Sequence, residues 1–432
     1  MIARLAAFLT LIALPVWAEV PVQEVKSPGG ITAWLVEAPE IPFVALEIRF
    51  RGGAALDAPG KEGAVGLMAG LLEEGTGDLD AQGFAAARDA LAASYRFGAG
   101  TDIISVSARF LSENRDQAVD LLRRAIVEPS FAPDALERVR AQILSSLRSD
   151  AQDPAVLAGQ AFDRVAFGDH VYARPTDGTL DSIAGLTVAD VKAAHAAALA
   201  WDRVYVAAVG DISAADLGPM LDKLLGGLPQ SGAPLPGPAK VNLHGQTVVE
   251  PFPGPQSVIL FGHEGIRETD PDFFPAFVVS EILGGSRFGT RLMTEVREKR
   301  GLTYGIGAGL SIMDHAALVA GQVQTANATM KQTIDVIRAE WARIPEITQE
   351  ELDAAKTYLT GAYPLRWDGN ANIARALVGL QMDGYPVDYP AKRNGYIEAV
   401  TLADAQRAAR KVFDPARLSF VVVGSPIGLD AQ

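Results

Sequence analysis

The 432-residue chain contains no cysteine. That absence excludes disulfides, thiolate nucleophiles, iron–sulfur clusters and cysteine-ligated zinc together. Histidine is nearly as sparse, with only His170, His195, His244, His263 and His315. No two of them stand four apart, the separation that would put a ligand pair on one helix face. Basic residues are also short, 38 against 52 acidic ones for a net charge of −14, and they form no stripe. DNA, RNA and anionic lipid surfaces are therefore poor partners. GxSxG, SxxK and the GxxxxGKS/T phosphate loop are missing. Gly305-Ile-Gly-Ala-Gly imitates a phosphate loop only superficially, because it sits in a strand-like run with no helix start behind it.

What is present reads as a large globular protein. Apolar residues reach 49%, enough for a sizeable core, and the length predicts two to four units at roughly 150 residues each. The N-terminus looks like an export signal. Met1–Arg4 is a short positive segment, Leu5–Val16 is apolar, and Val16 and Ala18 supply small residues for cleavage after Ala18. The apolar run falls short of the ~20 residues of a membrane span, and no later segment qualifies. A cysteine-free exported chain suits the bacterial periplasm, which is the expected location.

The chain also repeats itself. Leu186–Asp211 and Val400–Ser425 each give a Thr cap, an early Asp, an Ala-rich helix, an Arg and a strand ending in Val-Gly. Thr187 matches Thr401, Asp190 matches Asp404, Arg203 matches Arg417 and Gly210 matches Gly424, all at one offset of 214 residues. A second echo pairs the helix opening at Phe131-Ala-Pro-Asp with that at Ile347-Thr-Gln-Glu. Residues 226–240 have the Gly/Pro composition of a linker. The expected division is a signal over 1–18 and two homologous domains over 20–225 and 241–432.

Within the first half, Ile31–Val36 and Phe43–Phe50 read as strands, and Tyr95–Gly100 with Ile103–Phe110 as a hairpin around Thr101-Asp102. Helices are expected at 62–74, 81–93, 115–126, 132–149 and 187–200, followed by a strand over Val204–Val209. Strands and helices grouped in this way predict an α+β fold, a mostly antiparallel sheet in each domain covered by helices on one face.

Lys61-Glu-Gly-Ala-Val-Gly-Leu-Met-Ala-Gly-Leu-Leu-Glu-Glu-Gly-Thr resembles the first helix of the insulinase/pitrilysin-like zinc peptidases, processing-peptidase branch. Asp153-Pro154, His170-Val-Tyr-Ala-Arg-Pro with Gly178-Thr179, Val209-Gly210-Asp211 and Arg297-Glu-Lys-Arg-Gly-Leu-Thr-Tyr304 extend the resemblance over nearly the whole mature chain. The family's HxxEH motif binds zinc through two His and uses the Glu as general base. In register, those positions hold Gly66, Ala69 and Gly70, and the distal Glu ligand falls on Ser146. The resemblance therefore implies a member that binds no metal or other cofactor itself.

Arg297 and Tyr304 match an Arg/Tyr pair that, in the family, faces the zinc from a metal-free domain and stabilises the oxyanion. The alternative is an Arg favoured by the helix macrodipole and a Tyr packed in a half-buried strand. Gly301 should end a helix over 289–300, with Tyr304 entering the next strand. Arg300 is a neighbouring decoy, and Glu295, Glu298 and Lys299 read as a solvated face. The family's substrate-pairing edge strand falls on Phe97, Gly98, Ala99 and Gly100, whose glycines could equally mark a bulge. The implied function is that of a zinc-less subunit, binding peptide and completing the chamber of an HxxEH-bearing partner that holds the zinc. A non-catalytic scaffold of the same fold remains the alternative. A periplasmic solute-binding protein, which favours doubly wound domains, fits the strand grouping poorly.

Overall fold

The structure, a computed structural model, describes residues 21–429, so the expected signal sequence lies outside it. Strands β1 (Gln23–Lys26), β2 (Thr32–Glu37) and β3 (Phe43–Arg51) open the chain, followed by helix α1 (Ala64–Leu71). A short ribbon of β4 (Gly75–Thr76) and β5 (Leu79–Asp80) leads to α2 (Ala81–Ala90) and the hairpin β6 (Ser94–Ala99)–β7 (Ile103–Leu111). Five helices follow: α3 (Arg115–Val127), α4 (Pro133–Asp150), α5 (Pro154–Phe167), α6 (Leu180–Gly185) and α7 (Val188–Ala198). Strand β8 (Val204–Gly210) and helix α8 (Ala214–Leu225) close the first half.

The second half repeats the plan. It runs β9 (Thr247–Pro251), β10 (Gln256–Glu264), α9 (Phe273–Gly284), β11 (Ile306–Ile312) and β12 (Ala317–Ala326). Helices α10 (Met330–Arg343), α11 (Gln349–Ala362), α12 (Asn370–Met382), α13 (Tyr389–Glu398) and α14 (Leu402–Val412) precede the last strand, β13 (Ser419–Gly424).

Each half contributes one sheet. The orders are β1-β2-β8-β3-β7-β6 and β9-β13-β10-β12-β11, so the second sheet is the first without β1. Among the described residues, only β2–β8 and β9–β13 pair in parallel. The 214-residue echo is structural. Thr187 and Thr401 each form a capping box with the Asp three residues on. Gly210 and Gly424 occupy matching sites of close approach, where a Cβ would come within 2.1 Å of the Phe43 carbonyl and 2.0 Å of Ser257 Oγ.

Helices cover both faces of each sheet, not the one face expected, because the halves exchange helices. In β8, Val206 and Ala208 join the core formed with α1, α3 and α4, whereas Ala207 and Val209 pack with Ala374, Leu377 and Val378 of α12 from the other half. In β13, Phe420 and Val422 face the second half's own helices, while Val421 and Val423 meet Ala158, Ala161 and Phe162 of α5 from the first half. Two-sided burial explains why these strands are almost continuously apolar instead of alternating. Polar ties fix the exchange: Gln381 on α12 accepts from the Val206 amide at 2.9 Å and donates to the Thr32 carbonyl at 3.1 Å. Residues 226–246 contain no helix or strand but are docked along the chain, with the Ala239 amide on the His315 carbonyl and the Asn242 amide on the Ala166 carbonyl. Among the described residues no helix is long and apolar enough to cross a membrane.

Candidate functional site

Asp57 organises the start of α1, accepting from the amides of Gly63 at 2.7 Å and Val65 at 2.9 Å. Burial pushes its carboxyl up to about 6 against the pull of those bonds. Leu67, Met68 and Leu71 anchor the helix in the core, and α7, α4 and β6 pack beside it. This is where the family's zinc motif maps. Gly66 is half-buried, and a Cβ there would meet nothing within 4 Å. Gly70 is exposed, Ala69 is buried and Ser146 sits exposed on α4. The helices are in place, but these four positions offer no imidazole or carboxylate, so the residues present do not fit zinc.

β6 is an edge strand. It pairs with β7 one to one from Ser94 to Ala99, with no bulge, and among the described residues no strand pairs with its other side. Phe97, Gly98 and Ala99 are half-buried along it. Gly100 departs from the expectation: it lies past the strand end in the turn, and its carbonyl accepts from the Ala54 amide at 2.8 Å. An incoming strand could pair only as far as Ala99.

In the second half the expected helix over 289–300 begins later and is wider. Residues 285–290 form turns, and Met293–Glu298 is a π-helical turn, a form that recurs at functional sites. Gly301, at φ 61°, closes it, with its amide on the Arg297 carbonyl at 2.9 Å and the Leu302 amide on the Val296 carbonyl at 3.0 Å. Glu295 is not part of a solvated face. Its carboxylate takes both Lys299 and Arg300 at 2.6 Å, and these hydrogen bonds hold it below the usual range. Both cations next to Arg297 in the chain are thereby tied to Glu295. Arg297 has no ion pair among the described residues, and its guanidinium stacks over the Phe288 ring 5.2 Å from the centroid.

Tyr304 does not enter the strand. It precedes β11 in a bend and is 94% exposed. The bend is ordered: the Thr303 hydroxyl has the Gly305 and Gln324 carbonyls in reach of its one proton at 2.9 and 2.8 Å, and accepts from the Gly305 amide at 3.2 Å. A tyrosine held in water by a pinned backbone is not core packing. Arg297 and Tyr304 make no hydrogen bond or cation–π contact with each other among the described residues.

His263 and His170 are held by hydrogen bonds. His263, fully buried near the end of β10, accepts from Trp341 Nε1 at 2.9 Å. His170 accepts from the Tyr172 amide at 3.2 Å and bonds the Gly237 carbonyl at 3.0 Å. Sequence reasoning missed a seam where the two edge hairpins meet tip to tip. Ligand atoms of Asp102, Asp314 and His315 lie within 4.8 Å of one another. Their capacity is largely used, since both Asp102 oxygens lie 2.7 Å from the Tyr172 hydroxyl and Asp314 pairs with Arg51 at 3.1 Å. Asp102 and Asp314 are 212 residues apart, and no local signal joins them.

Two duplicated α+β halves, one with a donor-free α1 and the other with a free Arg and an exposed Tyr, define a metallopeptidase fold without its metal site. A profile described as the peptidase M16 inactive domain matches residues 185–359. The crystal structure of a peptidase M16 inactive domain from Pseudomonas fluorescens superposes with a TM-score of 0.88 at 30% identity, covering 95% of this chain and 99% of that one. A non-peptidase homologue, YmxG, of Helicobacter pylori is 26% identical over 388 residues, 89% of this chain and 90% of that protein. An uncharacterized zinc protease of Streptomyces coelicolor is 23% identical over 418 residues, 93% of this chain and 89% of that protein. The chain belongs to the peptidase M16 family, the insulinase/pitrilysin-like zinc metallopeptidases, as a non-catalytic member lacking HxxEH.

Proposed function

We propose that this chain is the zinc-less subunit of a periplasmic M16 peptidase, binding peptide along β6 and completing the chamber of an HxxEH-bearing partner. One observation carries the reading: Arg297 is left without a counter-ion while both neighbouring cations are consumed, and Tyr304 is held in solvent seven residues on. A guanidinium and a phenol are donors suited to a developing oxyanion. With no metal ligand at Gly66, Ala69, Gly70 or Ser146, the group they serve belongs to another chain, and so does the zinc.

Co-expression of the mature chain with an exported HxxEH paralogue tests this by light scattering and peptide hydrolysis. A heterodimer whose activity exceeds that of the partner alone is expected. Two non-associating monomers, with full activity in the partner alone, would leave the scaffold role in its place.

A further inference from the structure

Behind the free edge of β11, between α9 and the end of α11, lies a cavity of about 740 Å³. Its charge is unbalanced. Glu281 is its buried carboxylate, and Arg287, 3.4 Å away, answers it. Gly285 makes room for that pair, since a Cβ there would sit 1.9 Å from Glu281 Oε2. Two further guanidinium groups line the space. Arg393 is 7% exposed, stacked 4.6 Å over the Tyr363 ring and 5.6 Å from the centroid of Phe277, and its hydrogen bonds go to the Leu359 carbonyl and the Asn394 side chain, both neutral. Arg366 is exposed and has no ion pair among the described residues. The Tyr363 hydroxyl is buried, in a residue only 9% exposed, and has no hydrogen-bond partner among the described residues. A buried cation without a counter-ion beside an unused phenol donor is costly unless an anion arrives.

We propose that this cavity is a carboxylate pocket that takes an acidic side chain, or the terminal carboxylate, of a bound peptide. Arg366 is the charge partner at the surface, Arg393 supplies the buried positive field, and Tyr363 donates a hydrogen bond. Phe277 and the β11 residues give the pocket an apolar wall on its buried side, beside Arg393 and Tyr363. Phe288, which also lines the pocket, is the ring under Arg297, so the pocket adjoins the Arg297 site. The inference rests on the reading that this chain binds peptide, and it adds the class of residue recognised.

The test uses the full mature chain and fluorescent extended peptides that differ only at one central position, Glu or Gln, each with a free or amidated C-terminus. The carboxylate-bearing peptide should bind about tenfold tighter or more, as a charged hydrogen bond would give. Arg366→Gln and Tyr363→Phe should each remove most of that preference, leaving the affinity for the fully neutral peptide unchanged and the melting temperature no lower than that of the parent chain. Comparing the free and amidated termini separates a side-chain carboxylate from a terminal one. Equal binding of all four peptides overturns the pocket while leaving the peptide-binding reading intact. No binding of any overturns both.

Discussion

The two halves lay down the same strand order, apart from the extra β1, and end on equivalent edge strands, yet they differ in the helix behind that edge. In the first half, α1 presents Gly66 and Gly70 where the family has histidines. In the second, the equivalent helix α9 retains a buried Glu281 with Arg287, Arg366 and Arg393 around a cavity. The difference separates what the fold needs from what chemistry needs. α1 is held by Leu67, Met68 and Leu71 on its inner face and by Asp57 at its start, none of which is a metal ligand. The zinc-site positions at Gly66, Ala69 and Gly70 on α1 and Ser146 on α4 could therefore be lost without loss of the fold.

The sharpest way to break the comparison is to ask whether the halves are separable at all. Phe162 belongs to the first half but is buried against the second half's sheet, and Leu377 is buried in the reverse sense. Phe162→Ala should cost roughly 3–5 kcal/mol and Leu377→Ala roughly 2–5 kcal/mol. Urea denaturation should show a single transition lowered by either change. Two resolved transitions, only one of them moved, would mean that the halves fold independently.

Next in size is the effect on activity of the assembled pair. Tyr304→Phe removes only a hydroxyl that is already in water, so it should leave stability untouched. Loss of one preorganised donor lowers turnover by about 10²–10³, or about 2.7–4 kcal/mol. Arg297→Lys keeps the charge but not the planar fork, and should rescue only partly. Wild-type turnover in Tyr304→Phe would make the two halves equal, both scaffolds.

How much of this was legible in the sequence depended on whether the partners were local. The hairpin β6–β7 could be read from alternation because Ile104, Val106, Ala108 and Phe110 all face one core. The capping boxes at Thr187 and Thr401 could be read because both partners lie within one turn. The helices α5 and α12 gave little signal, since Ala158, Ala161 and Ala374 bury small side chains against a sheet far away in the chain. The wider turn at Met293–Glu298 changes hydrogen bonding without any residue type that marks it. The exposure of Tyr304 depends on Thr303 reaching the Gln324 carbonyl of β12, a contact that no spacing rule contains. The carboxylate pocket was hidden for the same reason, assembled from α9, β11, α11 and α13.

A smaller effect concerns pH and the exchanged helix α5. Burial lifts the carboxyl of Asp163 from 3.8 to about 6, with Arg164 opposing. Its folded-state affinity for a proton thus exceeds that of the unfolded chain. Stability from this group is fully present below about pH 4, falls as pH rises to about 6, and is level beyond. Asp163→Asn should flatten that slope and stabilise the chain at neutral pH by about 1 kcal/mol, well under the roughly 3 kcal/mol of the full displacement because water still reaches the site. Asp57, also near 6, should keep part of the slope in the variant. An unchanged pH profile of melting in Asp163→Asn would show that the carboxylate is already solvated.

The smallest effect tests whether the bare face of α1 is simply unoccupied. Glycine within a helix costs about 1 kcal/mol relative to alanine through backbone entropy. At Gly66 an added Cβ meets nothing within 4 Å, so Gly66→Ala should raise stability by close to that amount. At Gly70 the Cβ would stand 3.1 Å from Val139 Cγ1, so Gly70→Ala should gain less. Thermal melting of the isolated chain separates the two. A gain at Gly66 that disappears in the assembled pair would mean that the partner's surface approaches the backbone at that point. A loss in the isolated chain would contradict the open space above α1 and make Gly66 a packing residue, undoing the contrast between the two halves.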